Sequence, residues 1–261
     1  MDILKKIVND KRVEVKFRKD LIPIRQLETS VLFSRDTISL AKKLSSSSTG
    51  IIAEHKRRSP SKQVINHNLN VFDVAKGYEE AGVCGMSVLT DGKYFGGSLD
   101  DLLTARSSCN LPLLRKEFII DEYQILEAKA YGADVILLIA AVLSKAEIKQ
   151  FSELAKQLHL DVLLEVHNEE ELHKSIMPSL DMLGVNNRNL KTFEVSLDTS
   201  KQLSTLIPDD FVKVSESGIS STEAIKALQL YGYKGFLIGE NFMKTDNAGE
   251  SAAQFIKDLQ L

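Results

Sequence analysis

Five short segments of this chain combine residue types that do acid–base chemistry at spacings that put them on one side of an extended backbone. Glu54 and Lys56 stand two apart, as do Lys116 and Phe118, and side chains two apart on a strand share a face. Glu165 ends an apolar run, Asn186 and Arg188 repeat the two-residue spacing, and Glu216 leads into Ser217-Gly218. Ammonium and carboxylate groups brought together can trade protons with a carbonyl or hydroxyl, and an ammonium can stabilise an oxyanion. For any one of these residues the plain alternative is an ion pair plugging the end of the fold. For the whole set that alternative is weak, because desolvating so many charges costs several kcal/mol each and function is the usual reason to bear it.

Each segment closes a short run rich in Val, Ile and Leu. Such runs begin near Ile51, Cys84, Pro112, Asp134, Asp161, Asp181, Phe211 and Lys234, and an amphipathic helical pattern lies between successive runs. Ser144 with Glu147, and Ser220 with Glu223, have capping-box spacing. Asp121 opens an acidic helix start, and Gly132 and Gly232 stand where helices close. Strands alternating with helices imply a parallel sheet. Eight such units in about 210 residues fit a closed (βα)8 TIM barrel better than an open doubly wound sheet. The expected class is α/β, with the charged segments at the C-terminal strand ends, where active sites of this fold are built.

Residues 1–49 have a different texture. Ile3, Ile7 and Val8 fall on one helical face, followed by Val15, with charges between them, and Ser45 to Ser48 reads as a short linker. The expectation is an N-terminal helical extension over 1–49 covering one end of a catalytic barrel over 50–261. The two form a single structural domain, without room for a further fused domain.

Composition narrows the function. The chain has 261 residues, 43% hydrophobic and 26% charged, with a net charge of −3, which fits a globular protein and disfavours disorder or a general nucleic-acid binder. The opening stretch is no signal peptide, and the longest apolar run, Val135 to Val142, is too short to cross a bilayer. Cys84 and Cys109 form no framework spacing, which points to a reducing, cytoplasmic setting. The five histidines show no metal-ligand spacing, and His55 reads as a packing residue. Tryptophan is absent. Ser217-Gly218 and Gly239 follow the last two strands, where this fold commonly holds a phosphate. The basic loop Arg57 to Lys62 reads as a lid that meets an anionic substrate.

These same residues carry a family resemblance. IIAEHKRRSPSK is similar to the first-strand signature of indole-3-glycerol phosphate synthases, a Glu-x-Lys-x-x-Ser-Pro-Ser pattern met by Glu54, Lys56, Ser59, Pro60 and Ser61. Further similar segments follow in order: SVLTDGKYFGGSLDDL, PLLRKEFIIDEYQI, ADVILLIA, LLEVHNEEEL, LGVNNRNLKTF, VSESGI and FLIGENFM. The resemblance spans residues 51–243. It implies conversion of 1-(2-carboxyphenylamino)-1-deoxyribulose 5-phosphate to indole-3-glycerol phosphate by ring closure, decarboxylation and dehydration, a step of tryptophan biosynthesis needing no cofactor and no metal.

The resemblance also implies roles. Lys116 is the general acid of ring closure, Lys56 paired with Glu54 positions the carboxylate that is lost, and Glu165 is the principal catalytic carboxylate of dehydration. Phe118, Leu138 and Leu190 form apolar pocket wall. Ser59, Asn186, Arg188 and Glu216 bind or orient substrate oxygens, Glu216 alternatively orienting a lysine. Ser217, Gly218, Gly239 and Glu240 hold the phosphate. Two positions depart from the family pattern: His55 stands at an outward position usually apolar, and Gln63 replaces a glycine after RSPSK. The implied partner is a phosphorylated small molecule, with no nucleic acid and no membrane, and the chain is a monomer, a weak dimer being the alternative. A sister barrel such as phosphoribosylanthranilate isomerase would need a Cys and Asp acid–base pair at strand ends, and Cys84 begins a strand instead. A barrel kept only for binding would have lost one of Lys56, Lys116 or Glu165, and all three are present.

Overall fold

In a computed structural model of the chain, residues 3–190 and 192–261 are described. Met1 and Asp2, at the head of the charged opening stretch, and Lys191, inside the LGVNNRNLKTF segment, lie outside them. Eight strands pair in parallel in chain order: β1 (Ile51–His55), β2 (Gly85–Leu89), β3 (Leu113–Lys116), β4 (Val135–Ile139), β5 (Asp161–Val166), β6 (Met182–Asn186), β7 (Val212–Glu216) and β8 (Gly235–Ile238). β8 pairs with β1 and closes the barrel, as the alternating pattern predicts. Three helices precede it, α1 (Ile3–Leu21), α2 (Ile24–Glu28) and α3 (Leu40–Ser46). The rest follow the strands: α4 (Val71–Glu80), α5 (Gly92–Phe95), α6 (Leu99–Ser108), α7 (Glu122–Ala130), α8 (Lys145–Gln157), α9 (Glu169–Ser175), α10 (Asp198–Ser204), α11 (Thr222–Gln229), α12 (Glu240–Met243) and α13 (Ala248–Gln260).

Strand alternation divides the core in two. Ile52, Leu114, Val135, Leu137, Leu163, Met182, Val214 and Leu237 point inward and fill the barrel. Ile51, Ala53, Leu113, Ile136, Leu138, Val162 and Leu164 point outward and pack under the helices. Each fully buried Leu or Ile contributes roughly 1.5–3 kcal/mol. The same alternation carries Glu54, Lys116, Glu165 and Glu216 inward, two residues beyond Ile52, Leu114, Leu163 and Val214. Register sets their height, with Leu89 opposite Lys116, Ile139 opposite Glu165 and Asn186 opposite Glu216.

Local signals hold at most helix ends. Ser144 and Glu147 make the reciprocal capping box, Asp121 caps α7 through the Tyr123 N–H, and Gly132 and Gly232 take φ of 85° and 83°. At α11 the cap moves by one residue: Ser221, not Ser220, accepts the Ala224 N–H at 3.3 Å. The serine run is not a linker. Ser45 and Ser46 are the last residues of α3 and donate to Ala41 O and Lys42 O, while Ser47 Oγ accepts the N–H groups of Thr49 and Gly50 in a tight turn into β1.

The extension covers both barrel ends rather than one. Leu40 and Leu44 of α3 are fully buried, join the inner cluster and press on Gly85 and Gly235 at strand starts, sealing the N-terminal end. Arg35 pairs with Asp134 at 2.6 Å and Ser39 donates to Asp161 at 2.8 Å, fastening this segment to the starts of β4 and β5. At the opposite end α1 lays Ile3, Leu4 and Ile7 against the C-terminal mouth. Lys11 of α1 is only 1% exposed and lies 3.0 Å from Asp91 and 3.1 Å from Glu117. Burial pulls its ammonium toward neutrality, but Glu117 and Asp91 outweigh that and raise its pKa. Arg18 to Glu127 at 2.6 Å and Lys19 to Asp121 at 2.9 Å bind α1 to α7.

Candidate active site

The C-terminal ends of the strands enclose a cavity of about 370 Å³, within the range of small-molecule sites. Its polar side holds Glu54, Lys56, Lys116, Glu165, Asn186, Arg188 and Glu216, drawn from β1, β3, β5, β6, β7 and the loops they lead into. Its apolar side holds Phe118, Phe95, Leu89, Ile139, Leu190 and Phe193, completed by the first turns of α1. Phe95 and Phe118 pack with centroids 5.9 Å apart and planes tilted by 40°, a wall suited to an aromatic ring.

Lys116 is the centre of the polar side. Its Nζ donates to Glu165 Oε2 at 3.1 Å and to Glu216 Oε2. Burial alone would neutralise the ammonium, but Glu216, Glu165 and Glu54 more than offset it and raise its pKa, so Lys116 stays charged. The two carboxylates differ. Both oxygens of Glu165 are held, Oε2 by Lys116 and Oε1 by Asn186 Nδ2 at 3.1 Å. Burial pushes its carboxyl up, but Lys116, His167 and the Asn186 hydrogen bond overcome this and hold it well below the usual range. Glu216 has one held oxygen, while Oε1 is buried without a hydrogen-bond partner. There burial wins over Lys116, the neighbouring Glu165 adds to it, and the carboxyl rises to about 7. Such a pair, one ionised and one near neutrality, is the pattern by which carboxylates divide acid and base work.

A second pair stands beside it. Lys56 Nζ meets Glu54 Oε1 at 2.6 Å, and Ser87 donates to Glu54 Oε2 at 3.2 Å. Asn186 Oδ1 accepts the Arg188 N–H at 3.0 Å, and the Arg188 guanidinium donates to Phe193 O at 3.1 Å, shaping the loop after β6. Ser217, Gly218, Gly239 and Glu240 line the wall after β7 and β8. Ser217 and Gly218 both take left-handed backbone, φ 67° and 80°, and a Cβ on Gly218 would lie 2.4 Å from Val195 Cγ1. Gly239 crowds Glu54, whose Oε1 would sit 2.7 Å from a Cβ there.

Ser59, Pro60 and Ser61 bring the basic loop to the cavity, but its arginines point elsewhere. Arg57 grips Asp101 through two hydrogen bonds of 2.6 and 2.8 Å, and Arg58 donates to Gly92 O and Lys93 O. They root the loop, while Lys62 reaches across the mouth to Glu240 at 2.7 Å. Gln63 is exposed just beyond.

Of the residues singled out from sequence, Leu138 alone stays away from the cavity. Alternation along β4 turns it outward among the helix-facing side chains, and Ile139 lines the cavity in its place. Sequence reasoning missed Ile139, Ser87, the wall from α1, and His167, which lies 3.4 Å from Glu165. His167 had a readable signal in its place two residues beyond Glu165; the α1 wall had none. His55 is 1% exposed and faces outward; burial, with Arg57 nearby, lowers its pKa to about 4. Among the described residues no cluster of His, Cys, Asp and Glu is arranged to hold a metal, and no helix is long and apolar enough to cross a membrane.

A closed parallel barrel whose C-terminal mouth gathers lysines and carboxylates against an aromatic wall defines a (βα)8-barrel enzyme acting on a small molecule. Solved structures share the fold: 3-hexulose-6-phosphate synthase from Salmonella typhimurium matches with a TM-score of 0.64 at 13% identity, over 81% of this chain and 98% of that one. KGPDC from Streptococcus mutans matches at 0.61 and 11% identity, over 81% and 97%. The family model for indole-3-glycerol phosphate synthase matches residues 4–258. The indole-3-glycerol phosphate synthase of Bacteroides thetaiotaomicron is 47% identical over 238 residues, 91% of each chain. That of Polaromonas naphthalenivorans is 44% identical over 242 residues, 91% of this chain and 92% of the relative. The chain belongs to the indole-3-glycerol phosphate synthase family, carboxy-lyases of tryptophan biosynthesis.

Proposed function

We propose that this cavity closes, decarboxylates and dehydrates 1-(2-carboxyphenylamino)-1-deoxyribulose 5-phosphate, with Lys116 as the acid of the first step. The observation that carries this reading is one buried ammonium held between two carboxylates opposite an aromatic wall. The aromatic ring lies against Phe118 and Phe95. Its ring carbon attacks the ribulose carbonyl, and the oxygen that gains charge takes a proton from Lys116. Lys56, steadied by Glu54, grips the carboxylate, which leaves as carbon dioxide and restores aromaticity. The hydroxyl left by ring closure takes a proton from the Lys56 ammonium, freed once the carboxylate has gone, and departs as water. Glu165, held ionised, is suited to receive the proton lost from the carbon beside the ring nitrogen as the double bond forms.

Glu216 orients Lys116, the alternative that their direct hydrogen bond favours. Asn186, Arg188 and Ser59 contact substrate oxygens, with Leu190 on the apolar wall. Ser217, Gly218, Gly239 and Glu240 offer backbone N–H groups to the phosphate. Residues 1–49 and 50–261 act as one structural domain, the extension supplying part of the wall. The chain works as a monomer in the cytoplasm, where its two buried thiols stay reduced.

Purified protein given the carboxyphenylamino substrate should release an indole product, followed by near-ultraviolet absorbance or fluorescence. Well-folded protein that makes no indole would overturn the reading.

A further inference from the structure

His167 lies just past β5 and is nearly buried, its side chain 10% exposed. One ring nitrogen, Nδ1, is 3.1 Å from Glu171 Oε2, and the same oxygen accepts the His167 backbone N–H at 2.8 Å. Glu171 is itself fixed, because Asn168 caps α9 by accepting its N–H and donates to its other oxygen at 3.1 Å. The far ring nitrogen, Nε2, has no hydrogen-bond partner and faces Glu165 Oε1 at 3.4 Å. The ring therefore bridges a carboxylate at the edge of the barrel and the carboxylate at the heart of the cavity, without lining the cavity itself.

We propose that His167 is a positioning residue for Glu165: gripped by Glu171, it is held as an imidazolium and forms the second cation, with Lys116, that keeps Glu165 anionic and aimed into the site. This rests on the reading of Glu165 as the base of the dehydration stage. The charged groups facing the ring are Glu165 on its own strand, Glu171 on α9 and Glu216 on β7, and Lys116 on β3 lies across Glu165. All three groups directly facing it are carboxylates. Burial works against the charged ring, but the Glu171 hydrogen bond and these carboxylates outweigh it and raise its pKa above the ordinary histidine value. The arrangement gives Glu165 a pH-dependent neighbour. As pH rises through the imidazolium's titration, Glu165 loses one of its two cations, and its hold on the substrate proton changes.

The test is a nitrogen-15 NMR titration of the histidine rings, with His167→Gln identifying the resonance, alongside kcat measured from pH 6 to 9. The wild-type midpoint should lie above 6.5 and fall by about one unit or more in Glu171→Gln and in Glu165→Gln. Wild-type kcat should step down across that midpoint. In His167→Gln it should be flat with pH, about tenfold lower at pH 6 and with KM little changed. A wild-type midpoint at or below 6.5, a midpoint indifferent to Glu165→Gln, or an unaltered kcat profile in His167→Gln would each overturn the inference. The two readings fail differently. Full activity in Glu165→Gln with the ring coupling intact removes the catalytic role of Glu165, whereas an inactive Glu165→Gln with no coupling removes only that of His167.

Discussion

Lys116→Met keeps most of the side chain's aliphatic bulk and removes its charge. In the wild type that charge sits 3.1 Å from Glu165, donates to Glu216 and is only 14% exposed, so little water can stand in for it. General acid catalysis and oxyanion stabilisation are each worth about 10²-fold or more. The expected loss in kcat is at least about 10²-fold, or about 2.7 kcal/mol of transition-state stabilisation. The variant also leaves buried Glu216 without its cation and Glu165 with only His167 beside it. Glu216 is already near neutrality, so the pair should share a proton and escape much of the penalty of about 3–5 kcal/mol for a broken buried ion pair. A carboxyl whose folded pKa exceeds its unfolded value stabilises the fold only while protonated, so the variant should lose stability as pH rises from 6 to 8. Activity is read by indole fluorescence, which the chain itself does not contribute because it has no tryptophan. Stability is read by urea unfolding at the two pH values. A kcat within threefold of wild type would remove Lys116 from its role, and a pH-independent urea midpoint would refute the shared proton.

Two further outcomes follow from the geometry. His55 is buried with its pKa lowered to about 4, so the unfolded chain binds a proton the folded one refuses; lowering pH from 7 to 5 should cost about 2 kcal/mol that His55→Leu does not lose, measured as the difference between their urea curves. Gly218→Ala puts a Cβ at φ 80° and against Val195; it should cost about 1–2 kcal/mol of stability and raise KM for the phosphorylated substrate about tenfold, and an unchanged KM would take this turn out of the phosphate cradle.

The barrel was legible because its signal is local. Each strand is a short apolar run, and alternation along it decides which side chains face the cavity. Lys116 and Glu165 could therefore be placed from spacing alone. Leu138, set on the pocket wall by the family resemblance, is turned outward by this same alternation, and an unbroken apolar run such as VILLI conceals the strand's phase in sequence. The serine run was misread because hydroxyl-to-carbonyl bonds inside a helix look like a polar linker in sequence. What could not be read was contact between distant segments. Nothing near Lys11 announces Asp91 and Glu117, and nothing in Ile3 or Ile7 announces a cavity built by strands far along the chain.

That separation bears on the order in which the molecule comes together. α1 is made before every strand, yet Arg18 waits for Glu127, 109 residues later, and Lys19 for Asp121, 102 residues later. Closing loops of this size carries entropy that only a mostly assembled barrel can offset. This helix, made ahead of every strand, is therefore among the last to dock, and the cavity wall it supplies exists only once the barrel beneath it does. Its many charges suit that interval, keeping an unpartnered amphipathic helix in solution. Activity should emerge as the final event of folding, all at once, with no partly built chain able to turn over substrate.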